Sequence, residues 1–211
     1  MATQNLDYLT WRYATKKFDS TRKISNEDLE ALLETLRLSP SSFGLEPWKF
    51  ILVEDEKIRK NLLPFSWNQP QIVDASHLIV LCVYRHLNHV YVSKYLDLLA
   101  KERGIARESL KSYEAMINGF LQKHNQDSLS EWMQKQVYLA LGFLMSECAR
   151  RGLDTCPIEG FSSKDYDRIL GLESMNLQTV VLCPVGYRSA DDKHAGLKKV
   201  RFEPKDVILY R

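Results

Sequence analysis

The run Leu78 to Tyr84 (Leu-Ile-Val-Leu-Cys-Val-Tyr) constrains the fold more than any other segment. It is continuous, apolar, rich in β-branched residues and no longer than a strand. That pattern marks a strand buried on both faces, which has to lie inside a sheet with cover on each side. Its surroundings supply the cover. Ser25 is placed as an N-cap, with Asp28 three residues on and Leu29, Leu32, Leu33 and Leu36 at helical spacing. This helix should stop near Ser39-Pro40, because proline disfavours helix in the residue before it. Trp48 to Val53 and Gln178 to Val185 read as further strands, Leu153 to Ile158 as a strand or extended turn, and Val207 to Tyr210 as a strand-like tail. Asn5 to Thr15 should begin with a short helix, and Glu56 to Leu63, Asn88 to Arg103, Arg107 to Lys123 and Ser163 to Leu170 are helical by pattern. Leu129 to Arg151 is the longest periodic stretch, with Gly152 placed to end it. The expected fold is a mixed α/β protein with a central sheet of about four or five strands surrounded by helices, one domain over residues 1–211.

Several function classes drop out on composition. With 211 residues and 45% hydrophobic residues, the chain can bury a sizeable core, and disorder is not expected. A net charge of +2 argues against nucleic acid or an anionic membrane as partner. No apolar run approaches the ~18 residues of a membrane span. The opening Met1-Ala2-Thr3-Gln4-Asn5-Leu6-Asp7 has no basic segment followed by an apolar one, so no secretory signal is expected and the location should be cytoplasmic. Cys82, Cys148, Cys156 and Cys183 form no C-x-x-C pair. They read as buried free thiols, not as a zinc site or a disulfide framework.

Five segments carry chemistry. In Arg12-Tyr13-Ala14-Thr15-Lys16-Lys17-Phe18, Arg12 and Lys16 are four apart, so a helical turn would place both on one side. Lys199 and Arg201 alternate, so an extended segment points both the same way. Each cluster is either a small-anion site or a solvated charge run. Between them lie the loop Leu38 to Trp48, the polar stretch Trp67 to Gln71, and Cys156-Pro157-Ile158-Glu159-Gly160-Phe161. The first is a ligand loop or a plain connector. Asn68, Gln69 and Gln71 offer donors and acceptors suited to a heterocycle edge. Gly160 lets a backbone approach a flat ligand, or simply makes a turn. His77 reads as a structural histidine without acid–base work. Jointly, two basic clusters and three polar loops would suit a phosphate tail plus a planar hydrogen-bonding ring. Neither G-x-G-x-x-G nor G-x-x-x-x-G-K-[ST] is present, so a nucleotide-like cofactor would need another arrangement.

In the same order, these segments resemble the nitroreductase family, especially its oxygen-insensitive enterobacterial NAD(P)H-dependent members. The matching pieces are Arg12 to Phe18, Pro40-Ser41-Ser42 with Glu46-Pro47-Trp48-Lys49-Phe50, Asp74-Ala75-Ser76-His77, Glu131 to Leu139, Pro157 to Phe161, Pro184-Val185-Gly186-Tyr187 and Lys199-Val200-Arg201. The resemblance covers nearly the whole chain. It implies an α+β fold with a mostly antiparallel sheet, and an intertwined homodimer with FMN at the interface. It implies ping-pong hydride transfer from NAD(P)H through the flavin to nitroaromatic, quinone or similar planar acceptors. A specialised dihydropteridine or enone reductase, and a flavin-binding or sensory dimer without turnover, stand as alternatives.

Carried over by position, the resemblance places Arg12, Lys199 and Arg201 at the FMN phosphate. Tyr13 and Ala14 fall at the phosphate and ribityl end, with Lys16 near the pyrimidine edge. Pro40, Ser41 and Ser42 would come from the partner chain. Asn68 falls at the ring's polar edge, and Pro157, Ile158, Glu159 and Gly160 along one face. The chain departs from the pattern in three places. Ala14 stands where relatives carry Ser. Gln71 replaces a Lys beside the flavin, which should make this flavin harder to reduce. Phe43-Gly44-Leu45-Glu46 replaces Thr-Asn-Ser-Gln. That adds an aromatic ring and a carboxylate at the cavity, where Phe43, Glu46 and Phe120 would meet the acceptor. Hydride transfer needs no acid or base from the protein, so no catalytic side chain and no metal are expected.

Overall fold

The computed structural model describes residues 6–211. The expected Asn5 to Thr15 element therefore begins, at Asn5, outside the described residues. Four antiparallel strands form one sheet in the order β1-β2-β4-β3. They are β1 (Trp48–Val53), β2 (His77–Tyr84), β3 (Asp154–Thr155) and β4 (Leu177–Gly186). β2 is central and fully paired, from Trp48↔Val83 on one side to His77↔Val185 on the other.

The apolar run of β2 serves two cores. Ile79, Leu81 and Val83 join one cluster, while Leu78, Val80 and Cys82 join the other, as period-two alternation requires. The first cluster is covered by α2 (Asn26–Arg37), α5 (His89–Arg103), α6 (Lys111–Gln122) and α7 (Gln126–Arg150). The second is covered by α3 (Glu56–Leu62), α4 (Gln71–Asp74) and α8 (Ser163–Ile169). Ser25 caps α2 by accepting from the Asp28 backbone N–H at 3.1 Å. Leu32 and Leu36 on its buried face have no solvent exposure, worth about 2 kcal/mol each in burial. Gly152 ends α7 at φ +69°, a left-handed conformation that glycine adopts without a Cβ clash. All four cysteines are buried free thiols.

Two features lie outside the sequence pattern. Arg59 is buried although it has no carboxylate partner among the described residues. Its Nε, Nη1 and Nη2 instead donate to the carbonyls of Ile72 (2.7 Å), Ser76 (3.1 Å) and Ala75 (2.5 Å), fastening α3 to the chain that enters β2. The tail is a correction. Val207 to Tyr210 is not a strand: Pro204 opens a short helix, α9 (Pro204–Val207), Ile208 is extended, and residues 208–211 form no strand. Proline at the first helical position presets φ for that turn, which overrides the β-branched content of Val207-Ile208.

Candidate functional site

The short helix α1 (Asp7–Trp11) stops at Trp11, and Arg12 continues in extended backbone at φ −70°, ψ 144°. The expected helical pairing of Arg12 with Lys16 is therefore replaced by an extended path. Along it Ala14 bridges Thr155 in parallel, and the Thr15 N–H donates to the Thr155 carbonyl at 3.1 Å. Both cations still reach one place. A cleft of about 520 Å³ is lined by Arg12, Tyr13, Ala14 and Lys16 from the start of the chain, and by Arg188, Lys198, Lys199 and Arg201 from its end. Two segments nearly the full chain apart thus converge, with no carboxylate among the described lining residues.

The charges in this cleft are unequally compensated. Arg188 is ion-paired: Asp154 accepts its backbone N–H at 2.9 Å and its Nε at 2.8 Å and lies 2.7 Å from its Nη2, although Nη2 makes no well-aligned hydrogen bond among the described residues. Its guanidinium lies 4.0 Å from the Trp11 ring centre and 4.6 Å from that of Tyr13. Arg12 is not. Its Nε is buried with no hydrogen-bond partner among the described residues. Burial and then the neighbouring Arg201 push its guanidinium below the usual arginine range. Burial, Arg12 and Arg201 likewise lower the Lys199 ammonium. Lys199 Nζ donates to the Arg12 carbonyl, which draws the two basic clusters together. A half-buried donor among like charges fits an anion such as a phosphate monoester, whose oxygens would satisfy Arg12 Nε and relieve the repulsion.

Asp192 was not legible as a site residue. Only 5% exposed, it accepts from the Tyr13 hydroxyl (2.8 Å), the Lys16 N–H (2.8 Å), the Lys17 N–H (3.0 Å) and the His194 N–H (3.0 Å). Burial alone would raise its carboxyl, but these donors hold it well below the usual carboxylate range. The Tyr13 hydroxyl is thus engaged with Asp192, and burial followed by that bond pushes the phenol well above its ordinary value.

The other expected residues lie elsewhere on the chain. Gln71, at the start of α4, is 6% exposed and rests against Cys156. Its Oε1, beside the Cys156–Pro157 segment, is, with Arg12 Nε and Arg188 Nη2, one of three buried polar atoms without a hydrogen-bond partner among the described residues. Asn68 is exposed at φ +54°. A Cβ on Gly160 would fall 2.6 Å from the Trp67 ring, so Trp67 fills the space that glycine leaves. The Ile158 side chain is core, 3% exposed, whereas Pro157 and Glu159 line a shallower hollow with Tyr138, Leu141 and Met145. Tyr138 Oη donates to Glu159 at 2.5 Å.

The loop at Pro40, Ser41 and Ser42 does not line the cationic cleft. It is nonetheless no plain connector. Phe43 and Glu46 hold φ at +58° and +46°, uncommon for residues with a Cβ. Gln136 accepts the Ser42 N–H at 2.9 Å, and Tyr113 Oη donates to the Phe43 carbonyl at 2.9 Å. The Phe43 ring packs edge-on against Phe120 at 5.2 Å, so these two expected acceptor contacts are half-buried and touch one another. Glu46 is exposed, with burial of part of its carboxyl raising its pKa.

Comparisons with known proteins agree with this architecture. The profile of the Nitroreductase family matches residues 9–187. The candidate NAD(P)H nitroreductase YfkO of Bacillus subtilis is 35% identical over 221 residues, covering 100% of this chain and 98% of that protein. Among solved structures, the nitroreductase-like YdfN of B. subtilis superposes with a TM-score of 0.88 at 18% identity, over 100% of both chains. One from Exiguobacterium sibiricum, described as a nitroreductase in complex with FMN, gives 0.83 at 24% identity, over 100% of this chain and 99% of its own. With the profile spanning most of the sequence and a relative this similar along its whole length, the chain belongs to the nitroreductase family.

Proposed function

We propose that this protein is an FMN-dependent NAD(P)H oxidoreductase that reduces nitroaromatic, quinone or similar planar acceptors as a homodimer. One observation carries the reading: the cationic cleft shared by both ends of the chain, with Arg12 Nε buried and open. Bound FMN would supply the hydride chemistry, alternately accepting from NAD(P)H and giving to the acceptor. The chain's own residues bind and orient. Arg12, Lys199 and Arg201 hold the phosphate; Tyr13 and Ala14 flank its ribityl end; Lys16, Asn68 and Gln71 serve the ring's polar edge. Pro157, Ile158, Glu159 and Gly160 supply main chain along one face, and Pro40, Ser41 and Ser42 are given by the partner. Phe43, Glu46 and Phe120 meet the acceptor.

The homodimer is supported by apolar surface left open on this chain. Leu139 (48% exposed) and Phe143 (49%) lie on α7, Leu9 (41%) lies on α1, and Phe202 (81%), Leu209 (72%) and Tyr210 (88%) lie in the tail. A partner subunit would cover such side chains if they form one face. Among the described residues, no helix is long and apolar enough to cross a membrane.

The visible spectrum of the purified protein tests the reading. A yellow protein bleached rapidly by NAD(P)H in stopped flow, with the mass of a dimer by light scattering, is expected. A colourless protein that takes up no FMN overturns it, and bound flavin that NAD(P)H does not reduce leaves a binder without turnover.

A further inference from the structure

We propose that Asp192 is a positioning residue for the cofactor's phosphate: it locks the Arg12–Lys17 segment onto the 188–201 segment so that cations from both ends of the chain face one point. The proposal rests on the FMN reading above. Its geometry is specific. Oδ2 takes three donors from the first segment, the Tyr13 hydroxyl at 2.8 Å and the Lys16 and Lys17 N–H groups at 2.8 and 3.0 Å. Oδ1 takes the backbone N–H of His194 at 3.0 Å and lies 3.2 Å from His194 Nδ1, both on the second segment. Three of these donors are main-chain groups, so the carboxylate fixes backbone and not merely side chains. The bonds to Lys16 and Lys17 join residues 176 and 175 apart in sequence, and they act beside two main-chain ties between the same segments, the Ser189 N–H to the Lys17 carbonyl at 2.9 Å and the antiparallel bridge Phe18↔Arg188.

Charge alone does not explain this residue. A carboxylate close behind an anion site weakens anion binding by Coulomb repulsion. Its place there follows from the geometry it imposes on Arg12 and Lys199. An amide is no substitute. Asparagine offers one oxygen, and its NH₂ would then face either the Tyr13, Lys16 and Lys17 donors or the His194 N–H, setting donor against donor.

The test titrates flavin-free wild type, Asp192→Asn and Tyr13→Phe with FMN and with riboflavin, which lacks the phosphate, following flavin fluorescence. Asp192→Asn is expected to weaken FMN binding about tenfold or more and to leave riboflavin binding unchanged. Tyr13→Phe should shift FMN in the same direction by less, and it carries the test alone if Asp192→Asn fails to fold. FMN binding that is unchanged or tighter in these variants overturns the proposal, because a mere pool of positive charge gains affinity when the carboxylate is neutralised. Equal losses for both flavins overturn it in favour of a general folding role. A wild type that binds neither flavin removes the FMN reading and this proposal with it; a wild type that binds FMN no better than its variants removes only the proposal.

Discussion

Two arginines, one buried and one half-buried, sit in contrasting surroundings. Arg59, at the junction of α3 and β2, places Nε, Nη1 and Nη2 on the carbonyls of Ile72, Ser76 and Ala75. Arg12, at the mouth of the cationic cleft, has a buried Nε with no partner among the described residues and stands beside Arg201 and Lys199. Burial lowers both guanidinium groups from the ordinary arginine value. The first is completed by its own chain and fastens the fold. The second is completed only by something that brings negative charge and acceptor oxygens. Arg59 is thus a structural cation, and Arg12, open among like charges and without a carboxylate beside it, is the candidate binding one.

Substitution of Arg59 should have the largest effect. Arg59→Met strips three buried carbonyls of their donors and should cost about 3 kcal/mol in urea unfolding, with FMN affinity of the folded protein unchanged. A cost under about 1 kcal/mol would place Arg59 outside the fold's fastening. Arg12→Met should do the opposite. FMN affinity drops about tenfold to a hundredfold, while the flavin-free protein keeps or raises its thermal midpoint, because a like charge has left the cluster. Loss of stability without loss of affinity would erase the distinction between the two arginines.

Gln71 sharpens the same contrast from the acceptor side, since its buried Oε1 is also open. Gln71→Lys should raise the flavin midpoint potential by about 30 mV, roughly 1.4 kcal/mol for a two-electron couple, through attraction to the reduced anionic flavin. An unchanged or lower potential contradicts the assignment of Gln71 to the ring.

The smallest effect is on pH. Lys199 titrates below its ordinary 10.5 because of burial, Arg12 and Arg201. Its folded value lies under its unfolded one, so the unfolded chain binds more protons in the window between them. Stability of the flavin-free protein therefore rises with pH through that window, while FMN affinity falls as the ammonium is lost. Titrating FMN across this range should show the fall in wild type and its absence in Lys199→Arg. An identical profile in both would remove Lys199 from the phosphate site.

The sheet was legible because its strands carry their own signal. The β-branched and aromatic content of Trp48–Val53 and the two-faced burial of β2 are local properties, as is the Ser25 cap. The cations at both ends were legible as clusters, although the extended path from Arg12 to Lys16 was not, since the parallel bridge to Thr155 that fixes it joins distant residues. Asp154, Asp192 and Arg59 were illegible for a related reason. Each is an ordinary charged residue in its own stretch, and becomes structural only through long-range partners such as Arg188, Tyr13 and the carbonyls before β2. The tail misled because Val207 to Tyr210 has strand composition, whereas a strand also needs a neighbour to pair with.

The central claim is that the open cations at the two ends of the chain grip a phosphate. It is tested most directly by the ratio of FMN to riboflavin affinity in flavin-free wild-type protein, measured by calorimetry at low salt. FMN should bind about a hundredfold more tightly than riboflavin. Equal affinities would contradict it.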